Sequence, residues 1–536
     1  MKYWTGRDSR DHEVIVVGSG APGLMAAAVA AHEGQRVAVL EKAKYLGGTS
    51  AISGGTLWVP CNKYMFERGL TDSVEEALKY LRTITRGHTS EEVLRAFVEF
   101  GPEMIEFAAH NCELTFDSVD DYPDYRPDVE GSVRGGRSLD PKFYDTNKLG
   151  EMKKALRPDK RLPFTMQEYE QWVAFTRFPW EELQKRAEAG FVARGGAVVA
   201  PLINTCRKLG VTLVTDAAVE RLVEEDGRVC GVIVDGERFN ASSGVVLACG
   251  GFEWDGQMAK EFLAGPLMAR CSPPHNTGDG IRMATKLGAK LGNMREAFWC
   301  PMTIISGDEV EGEQMGTLLR FERSGPGSII VDKSGRRFVN ESQNYNDMTR
   351  AFHAYDPVNH EWLRLPAYII FDQEYLELYG FLTHRAGQAV PSWMWSADSL
   401  EELGAKLGMD GETLRESVER FNRFAREGRD PDFKRGDNEY DRYWGDDERL
   451  YPNPSLAPLE KAPYYAVEIV PGGFGTNGGI ATDGRARALD AENNPIGGLY
   501  AVGNTSAHPM GGGYAGAGAT LGPAMTMGYL AGKDLA

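Results

Sequence analysis

Between residues 13 and 41 the spacing of apolar positions changes twice. The stretch EVIVV is a continuous β-branched run, the pattern of a strand buried on both faces. The turn GSGAPG interrupts it. LMAAAVAAHEG follows, apolar almost without a break, which is the texture of a buried helix. RVAVLE then returns to a strand that closes on Glu41. The pattern predicts strand, turn, helix, strand. Pro22 falls in the opening turn of the helix, where its fixed φ and missing N–H do little harm. Gly34 suits the helix C-terminus.

From about 70 to 190 the chain reads as helix and loop. Thr89 or Ser90 caps a helix that begins at EEVLRAF. DDYPDYRPDVEGSVRGGRSLD is a loop. VTLVTD, VERLVEEDGRVCGVIV with a DG hairpin turn, and GVVLACGGF then read as a β-meander ending in glycine. TGDGIRMATKLGAKLG is a glycine turn entering a helix. From about 300, strand-like SIIVD and AYIIF alternate with the helices SLEELGAKLG and GETLRESVERFNRFAREG. Residues 300–462 are expected to form a second domain, inserted between the two parts of the first, 1–299 and 463–536. The tail returns to short strands and glycine: GGFGTNGGI, GGLYAVGN and GGGYAGAGATLG. No internal repeat is visible.

The chain has 536 residues, enough for two or more domains. Lys and Arg number 59 against 77 Asp and Glu, a formal net charge of −18, which argues against nucleic acid as a partner. No apolar run approaches the ~20 residues of a membrane span. The N-terminal residues lack the apolar stretch of a signal peptide. Seven scattered cysteines form no CxxC, and nine histidines include no HxxxH pair. The expectation is a cytoplasmic protein with reduced thiols and no metal site.

GxGxxG occurs three times, at Gly18, Gly473 and Gly511. Only the first has a strand before it, a helix after it and an acid-ended second strand. There the backbone around Gly18, Ser19, Gly20, Ala21, Pro22 and Gly23 would face a pyrophosphate, and Glu41 a ribose hydroxyl. A second cluster of glycines and hydroxyls, GGTSAISGG, follows at once with Gly48, Thr49, Ser50, Ser53, Gly54 and Gly55. Such a pair of segments suits a cofactor buried along its length, FAD rather than NAD. No second fingerprint exists for NADPH.

GSGAPG, GGTSAISGG, TGDG at 277–280, GRRFVNE at 335–341 and GLYAVGN with its glycine-rich tail together resemble the flavoprotein superfamily of fumarate reductases and 3-ketosteroid Δ1-dehydrogenases. The likeness runs over nearly the whole chain. It implies an α/β fold: a Rossmann-like FAD-binding domain with an inserted α+β catalytic, or capping, domain. It adds Lys42, Ala248, Gly250 and Asp279 to the cofactor contacts, with Gly503, Asn504, Thr520 and Leu521 from the tail. No histidine lies between His32 and His88, so the FAD is expected to be non-covalent. The helix beginning near Ala519 would turn its positive end toward the flavin.

The tail GGGYAGAGATLGPA resembles the ketosteroid Δ1-dehydrogenases most closely. In that family a tyrosine hydroxyl and a glycine N–H hold the substrate's ketone oxygen, which maps to Tyr514 and Gly518. Family members often carry proline where this chain has Ala515 and Ala517. The family's base follows an RF-x-NE motif, here Tyr345 in GRRFVNESQNY. Its helper tyrosine maps to Tyr125 in DYRPD, with Tyr122 in DDYPD as the other candidate. The implied reaction removes a proton alpha to the ketone, sends the beta hydride to flavin N5, and leaves a conjugated double bond. Fixed donors at the ketone oxygen stabilise the enolate-like state, each worth about 3 to 4 kcal/mol. A phenol of pKa near ~10 needs help to act as a base.

The expected substrate is a 3-ketosteroid, with a smaller ring such as cyclohexanone or 4-oxocyclohexanecarboxylate as the alternative. An external electron acceptor is implied. The rival is a fumarate-type reductase, but where those enzymes show a His-Thr pair this chain has Thr476 and Asn477. Cys249 and Cys300 read as apolar fillers. His508 reads as a structural or surface histidine, and Trp393 and Trp395 as packing or as the mouth of a substrate site.

Overall fold

The computed structural model describes residues 1–6, 9–172, 174–449 and 451–536. The opening unit forms as predicted: strand Asp11–Val17, helix Ala21–His32 and strand Val37–Leu40, with the two strands parallel. Every residue from Ala21 to Ala30 is buried, which is why the helix carries no polar face. It packs against the helices Arg194–Lys208 and Leu521–Asp534. A Cβ on Gly528 would stand 2.3 Å from the Pro22 carbonyl oxygen, so the first and last helices meet backbone to backbone.

The sheet beneath has nine strands. Asp11–Val17 lies between Val37–Leu40 and Glu237–Leu247, parallel to both. Thr212–Thr215 is not part of a meander, as its sequence position suggested. It pairs in parallel with Val37–Leu40 on the far side, delivered there by the crossover helix Arg194–Lys208. The meander is Val219–Glu225, Arg228–Val234 and Glu237–Leu247, with Asp-Gly turns at 226–227 and 235–236. All four turn residues have positive φ, the requirement of tight hairpin turns. Pro495–Ala501 joins the sheet beside Glu237–Leu247.

The middle segment is not only helix and loop. Phe116–Ser118 and Ser138–Pro141 pair with each other, and Leu57–Trp58 completes a three-stranded sheet. Ser90, rather than Thr89, caps the helix Glu91–Asn111, accepting the Val93 N–H at 3.3 Å.

A second sheet runs Glu313–Leu318, Ala297–Val310, Tyr464–Thr476, Ala367–Asp372, Ser328–Asp332, all antiparallel along this path. SIIVD and AYIIF are thus strands. Tyr464–Thr476 at its centre and the start of Ala297–Val310 lie outside 300–462. Alternation sorts the side chains: Ile329, Val331 and Ile370 face the helices Leu400–Leu407 and Gly411–Glu427, whereas Ile330, Ile369 and Phe371 face Phe321 and Tyr375. GRRFVNE is anchored here. Glu341 is fully buried and accepts from the Ile330 N–H at 3.0 Å and from Arg337 and Arg435. Arg337 also pairs with buried Asp430 at 2.9 Å. These arginines hold the Glu341 carboxyl below its usual range against the upward push of burial. The motif thereby fixes the loop that leads to Tyr345.

Candidate active site

Tyr125 rides on the long loop between strands Phe116–Ser118 and Ser138–Pro141. Buried Arg137 fixes that loop, pairing with Asp72 at 2.6 Å and Asp124 at 2.7 Å. Asp124 also accepts the Trp58 indole N–H at 2.7 Å and the Val133 N–H at 3.0 Å. Tyr345 opens the short helix Tyr345–Thr349. Asn344 caps that helix, accepting the Asp347 N–H at 3.0 Å, and donates to the Tyr125 carbonyl at 3.2 Å. Tyr514 lies in the loop ahead of helix Leu521–Asp534. The Tyr125 N–H donates to the Ala515 carbonyl at 2.9 Å, and the Tyr80 hydroxyl reaches the same oxygen at 2.7 Å. Three segments remote in sequence are therefore stitched by backbone contacts, and the three tyrosines cannot drift apart independently.

The phenols converge. The Tyr125 hydroxyl stands 3.0 Å from that of Tyr345, and Tyr122 stands 3.4 Å from Tyr125. Tyr125, not Tyr122, therefore touches Tyr345. The Tyr125 and Tyr514 rings stack at 5.4 Å, and Tyr345 meets both edge-on at 5.3 Å. Phe298, Phe474 and Tyr440 wall the cluster. Burial pushes the Tyr345 and Tyr125 hydroxyls well above the ordinary phenol range, and neighbouring phenols push the same way. Arg320 opposes the shift at both. Burial also raises Tyr514, while its bond to Thr520 Oγ1 at 2.9 Å opposes that.

Gly518 has φ +93°, and a Cβ there would stand 2.4 Å from the Thr56 carbonyl oxygen, so only glycine fits. Its N–H makes no hydrogen bond among the described residues, a free donor four residues after Tyr514. His508 is buried. Its Nε2 lies 3.0 Å from the Thr520 carbonyl, its Nδ1 accepts the Met510 N–H, and burial lowers its pKa to about 4. It braces the loop from a buried position rather than lying at the surface. Trp393 and Trp395 pack on the second sheet's two apolar clusters, away from the phenols.

The glycine turn fits a dinucleotide. At Gly18 and Gly23 a Cβ would strike the Ala248 and Gly18 carbonyl oxygens, at 2.2 and 2.5 Å, so these two glycines serve packing. A Cβ on Gly20 would meet nothing closer than Ser50 Oγ at 3.6 Å. Gly48 faces Gly20 across this gap. The helix behind has no acidic residue in its first turn and no side-chain cap, and Ser50 Oγ accepts the Ala21 N–H at 3.1 Å. A helix N-terminus with no acid in its first turn, beside an open glycine pair, is suited to a pyrophosphate. Glu41 sits at the strand end and accepts the Ser19 N–H at 3.0 Å and hydroxyl at 2.7 Å. Lys42 pairs with Asp279 at 2.6 Å. Thr49 accepts from Asn276 at 2.9 Å. Ser53 bonds the Ser50 carbonyl and the Gly55 N–H, while Gly54 borders Arg320. Gly250 and Gly503 adopt positive φ at the strand ends, and Asn504 packs over Gly475. Leu521 begins the last helix, which also lacks a side-chain cap and an acid in its first turn.

A cradle of this kind joined to a buried phenol cluster defines an FAD-dependent oxidoreductase. Residues 13–521 match the FAD binding domain family, and the chain belongs to that family, among its 3-ketosteroid Δ1-dehydrogenase-like members. It is 51% identical over 100% of its length, and 95% of the relative's, to 4-oxocyclohexanecarboxylate 2-dehydrogenase of Sinomonas cyclohexanicum. It is 40% identical to 3-oxosteroid 1-dehydrogenase of Mycolicibacterium smegmatis, covering 100% and 98% of the two chains. Among solved structures it is similar to 3-ketosteroid delta1-dehydrogenase of Sterolibacterium denitrificans, with a TM-score of 0.91 and 36% identity over 98% and 99% of the chains. Among the described residues no helix is long and apolar enough to cross a membrane.

Residue patterns had not singled out Arg320, Asn344 or Tyr440. Asn344 precedes Tyr345 directly, and an Asn before a short helix is a capping signal that could have found it. Arg320 lies in LLRFERSG, which carries no motif.

Proposed function

We propose that this protein desaturates a small cyclic keto acid of the 4-oxocyclohexanecarboxylate type, placing a ring double bond beside the ketone. The 3.0 Å contact between the Tyr125 and Tyr345 hydroxyls carries the chemistry of this reading. Tyr514 and the free Gly518 N–H hold the ketone oxygen and stabilise the charge that grows there. Tyr345 takes the alpha proton. Tyr125 donates to the phenolate as it forms, which offsets the cost of ionising a buried phenol. FAD, when bound, would supply the acceptor for the beta hydride, and an external acceptor would take the electrons on. Gly18–Gly23, Glu41 and the 48–55 segment would hold the cofactor without a covalent link. Ring size rests on the relative that is 51% identical. The second reading, 3-ketosteroid Δ1-dehydrogenation, is supported by relatives at 36 to 40%. Cytoplasmic residence is supported by seven unpaired cysteines.

The test is anaerobic bleaching of the bound flavin. 4-Oxocyclohexanecarboxylate is expected to reduce it faster than androstenedione or cyclohexanone, and succinate not at all. Faster bleaching by androstenedione would replace the first reading with the second. Bleaching by succinate alone would end both.

A further inference from the structure

Two guanidinium groups, Arg161 and Arg320, border the 52–54 segment beside the phenol cluster, and a third, Arg194, shares a carboxylate with the first. Arg161 donates to the Ile52 and Ser53 carbonyls at 2.5 and 3.2 Å and pairs with Asp159 at 2.8 Å. Arg194 shares Asp159 at 3.3 Å and donates to the Leu162 carbonyl at 3.1 Å. Arg320 has no carboxylate within 4 Å among the described residues. Its side-chain hydrogen bond goes to the Met166 thioether at 3.2 Å, a weak acceptor. Glu322 lies two residues on but spends its carboxylate on Arg320's own backbone N–H, at 3.0 Å.

The position of this charge is informative. Arg320 Nη2 lies 3.9 Å from where a Gly54 Cβ would be, and the guanidinium stands 6.0 Å from the Tyr169 ring. Met166 belongs to the same packed cluster as Tyr122, Tyr125, Tyr345 and Tyr514, and Tyr169 packs against it. The partly buried cation therefore sits where the cofactor segment meets the phenols. An unpaired guanidinium out of bulk water is costly and calls for an anion. Its planar fork matches a carboxylate in a bidentate fashion, and it stays charged at any working pH.

We propose that Arg320 binds the carboxylate of the substrate, so that a keto acid is held at both ends: ketone at Tyr514 and Gly518, carboxylate at Arg320. This rests on the small-keto-acid reading and names the residue that sets it apart from a neutral ketone. The guanidinium is a specificity determinant, and the phenols perform the proton transfer on either substrate class.

The experiment uses holoenzyme, wild type beside R320Q and R320K, each checked for flavin content and melting temperature. Calorimetric titration with cyclohexanecarboxylate, which has the acid but no ketone, is expected to show binding to wild type and at least tenfold weaker binding to R320Q. The ratio of kcat/KM for 4-oxocyclohexanecarboxylate to that for its methyl ester is expected to fall at least 30-fold in R320Q and to recover in part in R320K. Equal losses on acid and ester in R320Q, with a shifted alkaline limb in both pH profiles, would assign Arg320 to the phenols and overturn the proposal. Absence of cyclohexanecarboxylate binding to wild type would overturn it too. If wild type ignores the keto acid yet R320Q loses cyclohexanecarboxylate binding, Arg320 stands as an anion site and only the substrate reading fails.

Discussion

At the scale of single residues, the site turns on what burial does to a phenol. Tyr345 and Tyr125 are both pushed well above the ordinary range, so at neutral pH both are protonated. A base with a raised pKa gains its active form as pH rises. Turnover is therefore expected to climb through the alkaline range, with kcat measured from pH 7 to 10. Replacing Tyr345, the proposed base, by Phe is expected to lower kcat about 10³-fold, with KM nearly unchanged. Tyr125→Phe keeps Tyr345 but removes its 3.0 Å donor, so the loss should be smaller and the alkaline rise should move to higher pH. Full activity in Tyr345→Phe would discard the assignment. Gly518→Ala is a separate case. The added Cβ meets the Thr56 carbonyl, so the loop must move and the free N–H moves with it. A drop in kcat of about 10²-fold or more is expected, read together with flavin content to separate misfolding from loss of the ketone contact.

At the scale of elements, the three tyrosines of the proposed site stay together because their loops are pinned by groups outside the phenol cluster. Arg137 shows this best. It neutralises Asp72 and Asp124, and Asp124 is the residue before Tyr125. Arg137→Met would leave two buried carboxylates unpaired, a loss of about 3 to 5 kcal/mol. Thermal unfolding should show it, and activity should fall well below the new melting point, because the Tyr125 loop loosens first. Unchanged melting would mean that water reaches those carboxylates. These pins also mark the limit of what the chain discloses before it is folded. The β-branched run before Gly18 was legible because local period encodes it, whereas Tyr345 and Tyr514 stood out only through the family motifs they sit in. The choice of Tyr125 over Tyr122 was not legible, since both lie in one loop and only the packing of Tyr345 against it decides. The fate of Thr212–Thr215 was hidden for a similar reason. Its sequence neighbours are meander strands, but the crossover helix carries it to the opposite side of Val37–Leu40.

At the scale of the whole molecule, the second sheet and the tail loop ahead of the last helix meet at one buried imidazole. His508 bridges the Met510 N–H and the Thr520 carbonyl and packs its ring edge-on against Phe298, which in turn touches Tyr514. Burial lowers its pKa to about 4 from the usual 6.5. The unfolded chain therefore binds a proton that the folded chain refuses. The stability this imidazole contributes is fully present above pH 6.5 and is lost as pH falls from 6.5 toward 4. The shift corresponds to about 3 kcal/mol over that window. His353 is lowered to about 4 by burial, with Arg350 adding to the effect, and it acts in the same direction. The melting temperature is expected to fall across pH 6.5 to 4. His508→Gln, which cannot take up that proton, should have a lower melting temperature at pH 7 but a shallower decline in acid. Because His508 bonds both Asn477 and Thr520, acid should release the Tyr514–Gly518 loop before the sheets unfold. Loss of activity should then precede loss of far-ultraviolet circular dichroism in the same titration. Coincident loss of both signals would mean that the imidazole is uncoupled from the loop and that its protonation unfolds the molecule in one step.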